Sequence, residues 1–317
     1  MQEHAYNLYP EIEPYQSGWF EAEKLHHIYY EQSGNPNGVA VVFLHGGPGS
    51  GSNPNQRRFF DPSYYRIILL DQRGCGRSKP LGCIEDNTTD YLISDIEGIR
   101  GHLNVDQWLV FGGSWGSTLG LAYAVAYPKR ISGLILRGIF LSRTEELDWF
   151  LKDVRFFYPE SWDKLIAYLD PPEREDILNA YTQRIFSDDP AINLPAAINW
   201  NAYESSIMSL RPSNNIGSPV AADIQLARAR VQLHYILHEC FVGRRDLLQE
   251  VNILTHIPTV IVQGRYDMVC PPLTAWQLSQ AMPHAEFQII PDAGHSAMEA
   301  GTTSALIAAT ERFKSLL

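Results

Sequence analysis

The chain has 317 residues, 45% hydrophobic and 19% charged, proportions ordinary for a globular protein and a length that fits either one large α/β domain or a domain carrying a sizeable insertion. Its formal net charge of −11 and pI near 5.4 argue against a nucleic-acid surface and mildly favour cationic ligands. The opening residues, Met1-Gln2-Glu3-His4-Ala5-Tyr6, hold neither a basic n-region nor an apolar core, so no signal peptide is expected.

In chain order, two strands are expected near residues 18–22 and 26–32. Val39-Ala40-Val41-Val42-Phe43-Leu44 is a continuous apolar run, as suits a strand buried on both faces of a parallel sheet, and it ends in His45-Gly46-Gly47-Pro48-Gly49. A second such run, Ile67-Ile68-Leu69-Leu70, ends in Asp71-Gln72-Arg73-Gly74-Cys75-Gly76-Arg77-Ser78. Leu92, Ile96, Ile99 and Leu103 then fall on one face of a helix, for which Asn87 or Thr88 would serve as N-cap. Next, Gln107-Trp108-Leu109-Val110 reads as a strand and residues 119–127 as a helix, with Phe111-Gly112-Gly113-Ser114-Trp115-Gly116-Ser117 between them. Residues 107–128 contain no charge, but their glycines, serines and threonines suit a buried strand, turn and helix better than a membrane span.

Ile131-Ser132-Gly133-Leu134-Ile135-Leu136-Arg137 is the next strand, and the alternation of strand and helix implies right-handed βαβ units. The pattern changes near residue 140. Residues 141–250 lack β-branched runs and carry helix-like segments broken by Pro159, Pro171, Pro172, Pro190 and Pro195, which predicts an α-helical insertion. The α/β pattern resumes with Pro258-Thr259-Val260-Ile261-Val262-Gln263-Gly264, a helix near 275–281, the strand Phe287-Gln288-Ile289-Ile290, and a last helix over 304–316. The expected fold class is therefore α/β, with a core of residues 1–140 and 251–317 interrupted by a helical segment.

Ser114 sits in G-x-S-x-G between a strand and a helix, the context of a nucleophile elbow: a sharp turn that exposes the hydroxyl while flanking glycines let chains approach closely. A serine hydroxyl needs a base, and the base needs a third group to fix its tautomer. Asp267, in Gly264-Arg265-Tyr266-Asp267, and His295, in Asp292-Ala293-Gly294-His295-Ser296, each follow a predicted strand, and the order Ser, Asp, His is that of an α/β-hydrolase. The oxyanion formed on acyl attack needs two N–H donors, assigned here to the backbones of Trp115 and Gly47. Asp71 is expected to serve its turn, and Gly74-x-Gly76 lacks the rest of a phosphate-binding signature. Cys75, Cys83, Cys240 and Cys270 form no C-x-x-C pair and show no metal spacing, so reduced thiols, a cytoplasmic location and no metal or cofactor are expected.

Taken together, His45-Gly46-Gly47-Pro48-Gly49, the Asp71 to Ser78 block, Gly112-Gly113-Ser114-Trp115-Gly116, Leu136-Arg137-Gly138-Ile139-Phe140, Gly264-Arg265-Tyr266-Asp267 and Gly294-His295-Ser296 resemble the proline iminopeptidases over essentially the whole chain. The resemblance implies an α/β-hydrolase fold whose helical cap, residues 141–250, supplies acidic groups for the free ammonium of a small peptide substrate. Glu204, in Trp200-Asn201-Ala202-Tyr203-Glu204, matches one such group, with Tyr203 where the family usually has tryptophan. The second falls in Ala229-Arg230-Val231-Gln232-Leu233-His234-Tyr235, so Gln232 stands where glutamate is expected. Losing that charge would weaken ammonium binding about ten- to hundredfold. Glu239, two helical turns on, is one candidate to compensate, and Phe140 and Trp149 resemble the wall against which the family packs the pyrrolidine ring. The implied activity is serine exopeptidase. Gln232 motivates an alternative, hydrolysis of a non-peptide ester or amide by the same triad. A non-catalytic module would show a damaged triad or oxyanion loop, and the sequence shows neither.

Overall fold

A computed structural model describes residues 6–211, 220–243 and 245–316. Among these, eight strands form one sheet: β1 (Gln16–Glu21), β2 (His27–Gly34), β3 (Val39–Leu44), β4 (Tyr65–Leu70), β5 (Trp108–Gly113), β6 (Ile131–Arg137), β7 (Thr259–Gly264) and β8 (Glu286–Ile290). Their spatial order is β1-β2-β4-β3-β5-β6-β7-β8, antiparallel across the first two pairings and parallel from β4 onward. β4, β3, β5, β6 and β7 are the near-continuous apolar runs of the sequence, and successive residues go to opposite cores. Val42, Leu44, Val110, Leu134 and Leu136 pack on one face, and Val41, Phe43, Leu109, Phe111 and Ile135 on the other.

The first face is covered by α1 (Thr89–His102), α2 (Trp115–Ala126) and α9 (Pro272–Ala281), the second by α10 (Ala300–Phe313). The predicted face of α1 holds, with Leu92, Ile96, Ile99 and Leu103 all buried. Thr88 occupies its N-cap position without a side-chain bond to the helix, and the Asn87 side chain donates to the carbonyls of Arg73 and Cys83.

Between β6 and β7 come α3 (Thr144–Leu151), α4 (Pro159–Ala167), α5 (Ile177–Ile185), α6 (Pro190–Ser206), α7 (Ala222–Leu237) and α8 (Leu247–Glu250). These helices build a separate core around Phe150, Trp162, Tyr181, Trp200, Tyr203 and Leu233. α7 is seated on the loops that leave β3 and β4: a Cβ at Gly49 would lie 2.6 Å from the Arg228 carbonyl oxygen, and one at Gly74 would meet Val231 Cγ2 at 3.0 Å. Glycine is what lets the helix rest on the strand ends. No helix among the described residues is long and apolar enough to cross a membrane.

Candidate active site

Ser114 ends β5 and opens α2 with φ 58° and ψ −130°, a conformation that L-residues rarely adopt. The turn is this sharp because backbone packs on backbone. A Cβ at Gly112 would fall 2.1 Å from the Gly116 oxygen, and one at Gly116 would fall 2.0 Å from the Leu44 oxygen. The Ser114 N–H donates to the Arg137 carbonyl of β6 at 2.8 Å, which fixes the elbow against the neighbouring strand.

Asp267 and His295 come from the loops after β7 and β8. Those loops touch through glycine as well: a Cβ at Gly264 would sit 2.0 Å from the Gly294 oxygen. His295 Nδ1 lies 2.7 Å from Asp267 Oδ2, with both residues almost wholly buried. Asp267 is an acceptor on every side. Its Oδ1 takes the N–H groups of Val269 (3.0 Å) and Cys270 (2.7 Å), and its Oδ2 takes Gln263 Nε2–H at 3.2 Å as well as the imidazole. That set assigns the proton to Nδ1 and leaves Nε2 as the free base. Among the described residues, Nε2 makes no hydrogen bond, and none joins it to the Ser114 hydroxyl. Gly138, with φ 57°, lies against the pair, where a Cβ would meet His295 Cε1 at 3.0 Å and Asp267 Oδ2 at 3.4 Å.

Gly47, φ 116°, brings its backbone to the cavity that also exposes Ser114. Trp115 is the first residue of α2, so its N–H has no acceptor inside the helix. Gln72 braces both. Its Nε2–H donates to the His45 carbonyl at 2.9 Å, its Oε1 accepts the Trp115 indole N–H at 2.8 Å, and its backbone N–H donates to His45 Nε2 at 3.0 Å. Burial holds the His45 pKa below its ordinary value, against the opposing pull of the Asp71 charge. Asp71 serves the turn, accepting from the Ser52 backbone and hydroxyl and from Arg77, and Arg73 forms a buried two-point pair with Asp95 at 2.6 and 2.7 Å.

The cavity, open to solvent on one side, spans about 430 Å³ with its mouth included, and its wall includes Ser114, Phe140, Phe150, Glu204, Gln232 and Cys270. Glu204 Oε1 accepts Gln232 Nε2–H at 2.9 Å, and its Oε2 accepts Arg228 Nη2–H at 2.6 Å. Gln232 Oε1 in turn accepts the Trp200 indole N–H at 2.7 Å. Trp149 is not in this wall: its indole N–H donates to the Met268 carbonyl, and Phe150, one residue on and so a quarter-turn around α3, faces the cavity instead. Tyr203 fixes that neighbour by donating its hydroxyl to the Phe150 carbonyl at 2.8 Å. Glu239 is also outside the wall, with its carboxylate against Gly243. The sequence reading missed Arg228, Phe150, Cys270 and Glu146, a buried carboxylate in the wall whose pKa burial raises. The one available signal was spacing: Arg228 precedes Gln232 by four residues on one helix, and so lies on the same face.

Comparison with known proteins places this geometry. The family model described as alpha/beta hydrolase fold matches residues 39–302. A protein of Leptolyngbya boryana named "Probable proline iminopeptidase" is 52% identical over 309 residues, spanning 96% of each chain. Proteins named proline iminopeptidase are 47% identical in Arabidopsis thaliana, over 98% of this chain and 83% of that one, and 45% identical in Neisseria gonorrhoeae, over 96% and 98%. Among solved structures, the proline iminopeptidase-related protein of Thermus thermophilus superposes with a TM-score of 0.57 at 22% identity, covering 95% of this chain and 96% of that one. An alpha/beta hydrolase from a deep-sea metagenome library gives 0.61 at 18%, covering 93% and 97%, and both likenesses speak to the fold alone.

Proposed function

The chain belongs to the proline iminopeptidase family of the α/β-hydrolase fold, and on that premise we propose that it is a serine exopeptidase that releases the N-terminal residue, proline foremost, from small peptides. The observation that carries the reading is one cavity bearing the Ser114 elbow and Glu204, with a buried His295–Asp267 pair on the loops after β8 and β7 of the same sheet. Relatives at 45 to 52% identity named proline iminopeptidase favour a peptide over a non-peptide ester.

In this mechanism Ser114 Oγ attacks the carbonyl carbon of the N-terminal residue as its proton passes to His295 Nε2. Asp267 accepts Nδ1–H and so stabilises the imidazolium. The N–H groups of Trp115 and Gly47 hold the oxyanion. Collapse of the intermediate breaks the C–N bond, and Nε2–H supplies the proton that the departing amine requires. Water then gives a proton to Nε2 and attacks the acyl ester. Its collapse returns that proton to Ser114 Oγ and frees the amino acid. Residues 141–250 act as the cap that covers the strand ends and brings Glu204 and Gln232 to the substrate's amino end, with Phe140 and Phe150 against its ring. Unpaired cysteines support a reducing, cytoplasmic setting.

The test is turnover of a proline arylamide by the purified protein and its loss in Ser114→Ala. Absence of activity towards every aminoacyl arylamide overturns the reading.

A further inference from the structure

Two carboxylates line the cavity: Glu204 has an arginine of its own, and Glu146 shares Arg143 with Glu145, which Arg143 Nη1 meets at 3.1 Å. Glu204 meets Arg228 Nη2 at 2.6 Å, and Glu146 meets Arg143 Nε at 3.4 Å while accepting the backbone N–H groups of Leu141 and Arg143. Neither arginine is part of the cavity wall. The Arg228 backbone carbonyl packs on Gly49 of the oxyanion loop. The remaining polar group at the amino end, Gln232, is uncharged and has its own hydrogen bonds to Glu204 and Trp200. At the amino end, the Glu204 carboxylate is therefore matched by the one guanidinium of Arg228, and Gln232 adds no charge.

A buried ammonium must recover the hydration it loses, and it recovers less from a carboxylate already neutralised by a guanidinium than from a free one. A neutral acyl group of the same shape has no such loss to recover. We infer that the amino-end subsite of this chain is charge-balanced by Arg228, and that the enzyme consequently also hydrolyses amides of neutral five-membered-ring acids, in which carbon replaces the ring nitrogen. Arg228 is a positioning residue that acts through Glu204. The inference rests on the exopeptidase reading, and the experiment separates the two.

The probes are the p-nitroanilides of proline and of cyclopentanecarboxylic acid, with kcat and KM measured on the wild type, Arg228→Met and Arg228→Lys. The wild type is expected to prefer proline by no more than about tenfold in kcat/KM, the value of a single charge-assisted contact. Arg228→Met is expected to raise that preference about tenfold, through a lower KM for proline, and Arg228→Lys to restore it. A merely structural arginine would instead depress both substrates together and leave their ratio where it was. Wild-type hydrolysis of the proline probe alone, or an unaltered or reduced ratio in Arg228→Met, overturns the inference and leaves the exopeptidase reading standing. Hydrolysis of neither probe by the wild type overturns the inference, and the exopeptidase reading falls with it only if every other aminoacyl arylamide is also left intact. Should Arg228→Met fail to fold, the wild-type ratio and Arg228→Gln decide.

Discussion

Gln232 donates its side-chain N–H to Glu204 at 2.9 Å, and with its other end it accepts the Trp200 indole N–H at 2.7 Å. An indole can only donate and a carboxylate can only accept, so a buried side chain between them must do one of each. An amide meets that requirement without charge. The glutamine that the family resemblance marks as a departure is thus a closed hydrogen-bond circuit in the folded protein.

Gln232→Glu breaks the circuit on one side only. The new carboxylate can still accept from Trp200, but its second oxygen confronts Glu204 in a buried site, where like charges raise the pKa of the pair and strain the fold. Free-protein stability is expected to fall by about 1 to 3 kcal/mol, the cost of an unsatisfied buried polar contact. The substrate ammonium would gain a second charged acceptor, so KM for a proline arylamide should fall about ten- to hundredfold. Urea denaturation and steady-state kinetics on the same preparation read both effects. A KM that does not move would place the ammonium elsewhere.

Asp267→Asn tests the orienting acid. All the groups around that carboxylate are donors: two backbone N–H groups, Gln263 Nε2–H and His295 Nδ1–H. An asparagine NH2 must turn towards one side of that set. Towards His295 it forces the imidazole into the wrong tautomer, and towards Val269 and Cys270 it meets N–H with N–H. The expected loss in kcat is about 10⁴-fold, with KM little altered. Arylamide kinetics would expose a loss under tenfold, which would mean that Asp267 does not set the tautomer.

The strands and the order of Ser114, Asp267 and His295 were legible because their signals are local: apolar runs, glycines at an elbow, a turn after a strand. Face-of-helix assignments without a periodic stripe were not. Trp149 and Phe150 are adjacent in α3 and equally aromatic, and only packing against Met268 and Tyr203 decides which one meets the cavity. Arg228 had only its spacing from Gln232 to announce it. Its partner Glu204 lies on another helix, and two exposed-looking charges do not announce a shared, partly buried contact. Gln72 was read as part of a turn, yet it bridges His45 and Trp115, which no spacing rule encodes.

His45 predicts a pH dependence of stability. Its Nε2 accepts the Gln72 N–H and its Nδ1 lies 2.9 Å from the Gly46 carbonyl, so the buried ring is held neutral and its pKa lies below the ordinary value. An unfolded histidine binds a proton below about pH 6.5 and the folded one does not, so this contribution is full above that pH and is lost as the pH falls. Across the interval between the two pKa values the slope approaches about 1.4 kcal/mol per pH unit. Urea denaturation between pH 8 and about pH 5.5 should show a shallower acid slope in His45→Gln than in the wild type, since the remaining histidines contribute equally to both. Parallel slopes would show that His45 takes up its proton without cost.

Ser114→Gly separates function from stability at the elbow. The serine holds φ 58° and ψ −130°, a conformation that costs a residue with a Cβ on the order of 1 to 3 kcal/mol. Glycine adopts it freely but has about 0.5 to 1 kcal/mol more backbone entropy to lose on folding. The relief exceeds that loss. Ser114→Ala removes the hydroxyl and keeps the Cβ, so it serves as the matched control. Both variants should lose arylamide turnover by at least about 10⁴-fold. Ser114→Gly should nevertheless be more stable than Ser114→Ala by about 1 kcal/mol in denaturant titration. Equal stabilities would mean that the turn holds no strain at Ser114, and that close backbone packing of Gly112 and Gly116 alone sets its shape.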